Sequence, residues 1–175
     1  MRRPLLVMDY VAAVPAGRAV GDGDLTVLLT SVSSDSHTWN LVFLQLVLEE
    51  LGHRVHNLGA CVPDELLVAE SLRLRPDLVV VSTVNGHGFH DGLRVIGQFR
   101  GHPELAGIPA VIGGKLGIAG PGSDLSRAEL MAAGFDAVFD DGTGLTAFQS
   151  FVGRLAIGVA PAGPVGAVAD PGYGA

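Results

Sequence analysis

Apolar residues fall along this chain in short runs, separated by longer stretches with helical spacing. Residues 25–32 (LTVLLTSV) are apolar without strict alternation, which predicts a buried strand. Residues 41–51 have helical spacing, and Gly52 follows where a helix C-terminus favours glycine. Residues 54–58 read as a second, weaker strand. Pro63 suits the first turn of the next helix. Asp64 and Glu65 lie near its positive dipole end, Arg73 and Arg75 near the other, and Pro76 stops it. Residues 78–81 predict the third and most buried strand, 89–99 a helix and 108–112 the fourth strand. A fourth helix starts near Ser123 or Ser126, where Ser126 and Glu129 form a capping-box pattern, and Gly134 ends it. Residues 137–139 predict the fifth strand and 146–156 a closing helix.

Strands that alternate with helices imply a parallel sheet covered on both faces. The expected fold is a doubly wound, Rossmann-like α/β domain with the flavodoxin-like strand order 2-1-3-4-5. Residues 24–157 form that domain. Residues 1–23 and 158–175 are rich in Gly, Ala and Pro, lack helix or strand periodicity, and are expected to be flexible tails. In such sheets ligands bind outside the carboxyl ends of the strands, near the switch point between the first and third.

Composition narrows the function. A hydrophobic content of 48% is enough for a sizeable core. The net charge of −7, without a basic run, disfavours nucleic acid as a partner. The apolar runs have strand length and fall short of the ~18 residues a membrane span needs. The start Met1-Arg2-Arg3-Pro4 has the look of a signal peptide, but Asp9 interrupts the apolar run behind it. A single cysteine, Cys61, cannot form an internal disulfide, so a cytoplasmic location is expected.

The segments after the strands are polar and glycine-rich. They are residues 33–40 (SSDSHTWN), 82–88 (STVNGHG), Gly113-Gly114-Lys115, and residues 140–144 (DDGTG). On spacing alone two readings of the first segment stand. Asp35 or Ser34 caps the following helix and His37 is a solvated loop residue, or His37 is a metal ligand whose other ring nitrogen is held by the Asp35 carboxylate. His87 and His90 form an HxxH pattern with too few companions for a zinc site. Cys61 reads as a small buried or loop residue. Trp39 either packs against a ligand or covers the core, and Lys115 either contacts a ligand's phosphate or carboxamide or is solvated.

Together these segments resemble the signature of the cobalamin-binding domain family, DxHxxG, then SxL, then GG. Here it reads Asp35-Ser36-His37-Thr38-Trp39-Asn40, then Ser82-Thr83-Val84, then Gly113-Gly114, each at the end of the expected strand. The likeness is greatest to the small, cobalamin-binding subunits of glutamate mutase (methylaspartate mutase). It continues through Leu58-Gly59, Pro63, Glu65-Leu66, Gly86, Gly88 and Asp91, and covers about residues 25–156. Two positions depart from the pattern. Val84 replaces a leucine and keeps an apolar surface. Asn40 replaces the last glycine of DxHxxG, where it either crowds the cofactor's nucleotide tail or occupies a left-handed backbone position that Asn tolerates.

The resemblance implies roles residue by residue. His37 is the axial cobalt ligand, displacing the cofactor's own dimethylbenzimidazole, and Asp35 bonds its other nitrogen. Ser82 bonds the displaced base in a slot that Val84 lines. Gly113 and Gly114 let the nucleotide tail pass close to the backbone, and Gly142 and Thr143 flank its far end. Ser36, Thr38, Trp39, Asn40, Gly86 and Lys115 complete the expected cofactor contacts. The implied cofactor is adenosylcobalamin, which carries the radical chemistry. The implied activity is a carbon-skeleton isomerase, glutamate to 3-methylaspartate or a related amino acid. It requires a separate TIM-barrel large subunit that holds the amino-acid substrate, so this chain is expected to be inactive alone. A corrinoid carrier for methyl transfer and a non-catalytic cobalamin sensor are the alternatives.

Overall fold

The computed structural model describes residues 23–117, 123–140 and 144–159. Five parallel strands stand in the order 2-1-3-4-5: β1 Thr26–Thr30, β2 Arg54–Asn57, β3 Leu78–Thr83, β4 Ala110–Gly114 and β5 Ala137–Asp140. The helices between and after them are α1 Trp39–Glu50, α2 Asp64–Leu74, α3 Gly88–Arg100, α4 Ser123–Ala133 and α5 Gly144–Ala156. This is the expected flavodoxin-like arrangement. The expected tails lie outside the described residues or, at their inner ends, in short segments beyond the first strand and last helix.

The alternation of side chains along each strand builds two cores. Leu28, Val79, Val81, Ile112 and Val138 face α2, α3 and α4, where Leu67, Val95, Phe99 and Leu130 meet them. Val27, Leu29, Leu78, Val80 and Val111 face α1 and α5, where Leu41, Leu48, Phe148 and Phe151 meet them. Every residue of β1 and β3 is buried, as continuous apolar runs in a doubly covered parallel sheet should be.

Several boundaries differ from the sequence expectation. β4 begins and ends two residues later than expected, and a 3₁₀ turn, Pro103–Leu105, precedes it. Gly113 and Gly114 are therefore the end of a strand rather than the loop after it, in register with Ser82 and Thr83 of β3 on one side and Phe139 and Asp140 on the other. Pairing on both sides overrides the low strand preference of glycine. α4 starts at Ser123, the first of the two expected starts, so the Ser126–Glu129 pattern lies inside the helix rather than at its N-cap. Among the described residues no helix is long and apolar enough to cross a membrane.

Candidate functional site

The carboxyl ends of β1, β3 and β4 meet at the switch point of the sheet. There the three polar segments are joined by hydrogen bonds that no local spacing reveals. Asp35 is fully buried and accepts four of them. His37 N–H donates to Oδ1 at 3.0 Å and the His37 ring, through Nδ1, at 2.7 Å. Thr83 Oγ1 donates to Oδ2 at 2.8 Å and Val84 N–H at 2.6 Å. Burial alone would push this carboxyl up; the backbone N–H groups of His37 and Val84, the His37 ring and the Thr83 hydroxyl outweigh it and hold the pKa at about 2. Asp35 is a permanent carboxylate at neutral pH.

The geometry excludes the helix-cap role for Asp35. The N-cap of α1 is Thr38, without a side-chain cap bond, and the Asp35 carboxylate points elsewhere. Its bond to Nδ1 of His37 fixes a tautomer in which the opposite nitrogen, Nε2, keeps its lone pair. The His37 side chain is half exposed, so that lone pair is accessible to a metal held above the sheet edge.

Beside this pair a slot of about 310 Å³ opens between the sheet and helices α1 and α5. Its walls are mainly apolar: Phe43 and Leu44 of α1, Val80, Val111 and Phe139 of the sheet, and Leu145 and Phe148 of α5. Apart from the Trp39 indole, Asn40 and Ser82 supply its polar side chains. Ser82 follows Leu78 and Val80 in the row that faces α1 and α5, which is why its hydroxyl reaches the slot. It accepts a bond from Asn40 Nδ2 at 2.9 Å, which leaves its own hydrogen to donate. A small, mostly apolar slot with few polar groups is the usual form of a small-molecule site, and its donor set suits a heteroaromatic base with a ring acceptor.

The other expected contacts divide. Val84, Gly113 and Gly114 line the slot. Trp39 is 63% exposed at the slot and does not cover the core. Ser36, Thr38 and Lys115 are exposed, and Lys115 joins the site through its backbone N–H, which donates to Thr83 O at 2.8 Å. Gly86 turns the loop after β3 with a φ of +83°. Gly142 and Thr143 lie outside the described residues. Asn40 is buried on the first turn of α1, and Asn40 is not among the residues with a left-handed backbone. Cys61 is an exposed loop residue.

Two contributions escaped the sequence reading. Thr83, the unspecified middle residue of its motif, clamps Asp35. Arg94 on α3 bonds Ser33 Oγ and Asp91 and forms an ion pair with buried Asp64 at 2.9 Å. Asp91 in turn accepts from Ser34 Oγ at 2.6 Å. This network moors the His37 loop to the opposite face of the sheet.

A flavodoxin-like sheet with an apolar slot beside its switch point has the form of a small-molecule-binding α/β domain. The chain belongs to the B12 binding domain family, whose pattern matches residues 25–149. The glutamate mutase sigma subunit of Halobacterium salinarum is 32% identical over 126 residues, spanning 71% of this chain and 82% of that one. The monomethylamine corrinoid protein of Methanosarcina barkeri superposes with a TM-score of 0.59 at 15% identity, covering 79% of this chain and 58% of that one. The receiver domain of a sensor histidine kinase from Pseudomonas aeruginosa superposes with a TM-score of 0.55 at 15% identity, over 76% of this chain and 98% of that one. The last two likenesses show the fold alone.

Proposed function

We infer that the chain is the cofactor-carrying subunit of an adenosylcobalamin-dependent carbon-skeleton mutase. It interconverts glutamate and 3-methylaspartate, or a related amino acid, together with a separate TIM-barrel subunit. The observation that carries this reading is the Asp35–His37 pair standing beside an apolar slot. The likeness to a glutamate mutase sigma subunit supports the choice of reaction.

When bound, adenosylcobalamin supplies the radical chemistry. This chain supplies binding and orientation. His37 would hold the cobalt through Nε2, while the buried Asp35 carboxylate fixes the ring and raises its basicity. The Thr83 and Val84 bonds keep the carboxylate from turning away. The slot would hold the cofactor's nucleotide base, shield it from water and offer it the Ser82 hydroxyl. The amino-acid substrate is held by the partner, which covers the exposed side of the site.

The test is reconstitution. The full chain, mixed with a glutamate mutase large subunit and adenosylcobalamin, is expected to interconvert glutamate and 3-methylaspartate, while the chain alone does not. His37→Ala is expected to abolish the histidine nitrogen coupling in the cobalt electron-spin spectrum. Coupling that survives in the variant refutes the ligand assignment. Binding of cobalamin without turnover in the mixture refutes the reaction.

A further inference from the structure

Asp64, at the start of α2, and Arg94, on α3, form an ion pair that is a weak source of stability. Asp64 is 2% exposed. Its Oδ2 accepts from Arg94 Nη1 at 2.9 Å and from Gln98 Nε2 at 3.2 Å, while its Oδ1 is buried without a partner. Burial pushes this carboxyl up, Arg94 opposes the shift, and Glu65 and Asp91 add to it. An apolar side chain packed against α3 would serve the fold as well, because desolvation commonly cancels the attraction within such a pair. What the pair does fix is the direction of the Arg94 guanidinium.

With Nη1 held by Asp64, Nη2 is aimed at the loop after β1. It donates to Ser33 Oγ and to Asp91 Oδ1, both at 3.0 Å. Asp91 Oδ2 accepts from Ser34 Oγ at 2.6 Å, and Ser34 Oγ accepts from Asn85 Nδ2 at 2.8 Å. Two consecutive residues are thereby tied to α3 immediately before Asp35. On the other side of Asp35, residues 36–39 are exposed, and Asn40 is the next buried residue. Where the His37 ring stands therefore depends on the Asp35 clamp and on the two serines before it.

We propose that Arg94 is a positioning residue for the cobalt ligand, holding the loop so that His37, rather than the cofactor's own base, takes the lower axial position. The proposal rests on the cobalamin-binding reading above. α3 lies on the face of the sheet opposite the slot, so Arg94 acts through the loop and not on the base. It sets the fraction of time for which the loop stands in the ligating position, and an apparent affinity scales with that fraction. The planar fork of arginine lets one group serve Asp64, Asp91 and Ser33 together. A lysine keeps the charge but reaches fewer of them.

The experiment uses the full chain with isotope-labelled histidine nitrogen, in unaltered, Arg94→Lys and Ser33→Ala forms. Cobinamide, which has no base of its own, is titrated by calorimetry. The electron-spin spectrum of bound cobalt(II) cobalamin tells whether the axial nitrogen is the labelled histidine's or the unlabelled base's. Urea unfolding without ligand reads the fold. Both variants are expected to keep the unaltered chain's urea midpoint. Arg94→Lys is expected to bind cobinamide about three- to tenfold more weakly and to show base splitting mixed with histidine splitting. Ser33→Ala removes one bond and is expected to move the same way by about threefold. Full histidine splitting in both variants overturns the proposal and leaves the cobalamin reading intact. That holds whether affinity is unchanged or falls together with the urea midpoint, as a merely structural residue would make it. If Arg94→Lys does not fold, Ser33→Ala decides alone. An unaltered chain that binds neither corrinoid, or that shows only base splitting, removes the underlying reading and this inference with it.

Discussion

At the scale of single residues, Asp35 carries the most. A carboxylate with no exposed surface is costly unless its lone pairs are met, and here four donors meet them. Its pKa, lowered from 3.8 to about 2, is a statement about stability as well as ligand geometry. A group depressed in the folded state stabilises above its unfolded pKa, and that contribution fades as pH falls through the folded value. The window here runs from about pH 4 to about pH 2 and is worth about 2 kcal/mol. Asp35→Asn is therefore expected to lose roughly that much stability at neutral pH and to show a flatter acid limb, with the two proteins converging near pH 2 in urea titrations. The same variant is expected to bind cobalamin about 10–100-fold more weakly, because the imidazole loses its anionic partner. Unchanged stability together with unchanged affinity would return Asp35 to an ordinary loop residue.

At the scale of elements, much was legible and the gaps have physical causes. The order of strands and helices followed from apolar runs and from Gly52, Pro76 and Gly134, because those signals are local. The end of β4 was not legible, because Gly113-Gly114 carries the composition of a loop and only pairing with β3 and β5 makes it strand. The roles of Thr83 and Arg94 were hidden because their partners Asp35 and Ser33 lie 48 and 61 residues away. Asp35 and His37 were legible as a pair but not as a choice, since a cap and a ligand clamp share the same spacing. The glycines also prove to have a role of their own within the sheet. Gly114 has a φ of +104°, and a Cβ there would strike the Thr83 carbonyl, while a Cβ on Gly113 would lie 2.7 Å from the Phe139 carbonyl oxygen. Gly114→Ala is thus expected to destabilise the chain without any ligand, by about 1–3 kcal/mol, measured by urea unfolding. A loss of cobalamin affinity with unfolding unchanged would place that glycine's importance in the ligand contact instead.

At the scale of the whole molecule, the site crosses the fold rather than sitting on one piece of it. β3, β4 and β5 supply the slot's floor and α1 and α5 its walls, the loop after β1 carries Asp35 and His37, and α3 moors that loop through Arg94. A ligand seated there binds only when all of these are folded and in register, so its binding energy adds directly to the stability of the entire domain. α1 adds a second consequence. Trp39, Val42, Phe43 and Leu46 leave an exposed apolar stripe that begins at the slot, so the free chain keeps apolar surface in water beside it. With free cobalamin at about one hundred times its dissociation constant, linkage gives about 2.7 kcal/mol. For a chain of this size that corresponds to a rise of roughly 5–11 °C in Tm. Cobinamide keeps the corrin and cobalt but has no base for the slot. At equal concentration it is expected to raise Tm by less, and the difference reads the slot's share of binding. His37→Ala is expected to shrink the shift given by both corrinoids, whereas Ser82→Ala shrinks only that given by cobalamin. Equal shifts from cobalamin and cobinamide in the unaltered chain would mean that the base stays outside the slot, and the cavity between α1, α5 and the sheet would then have no part in holding the cofactor.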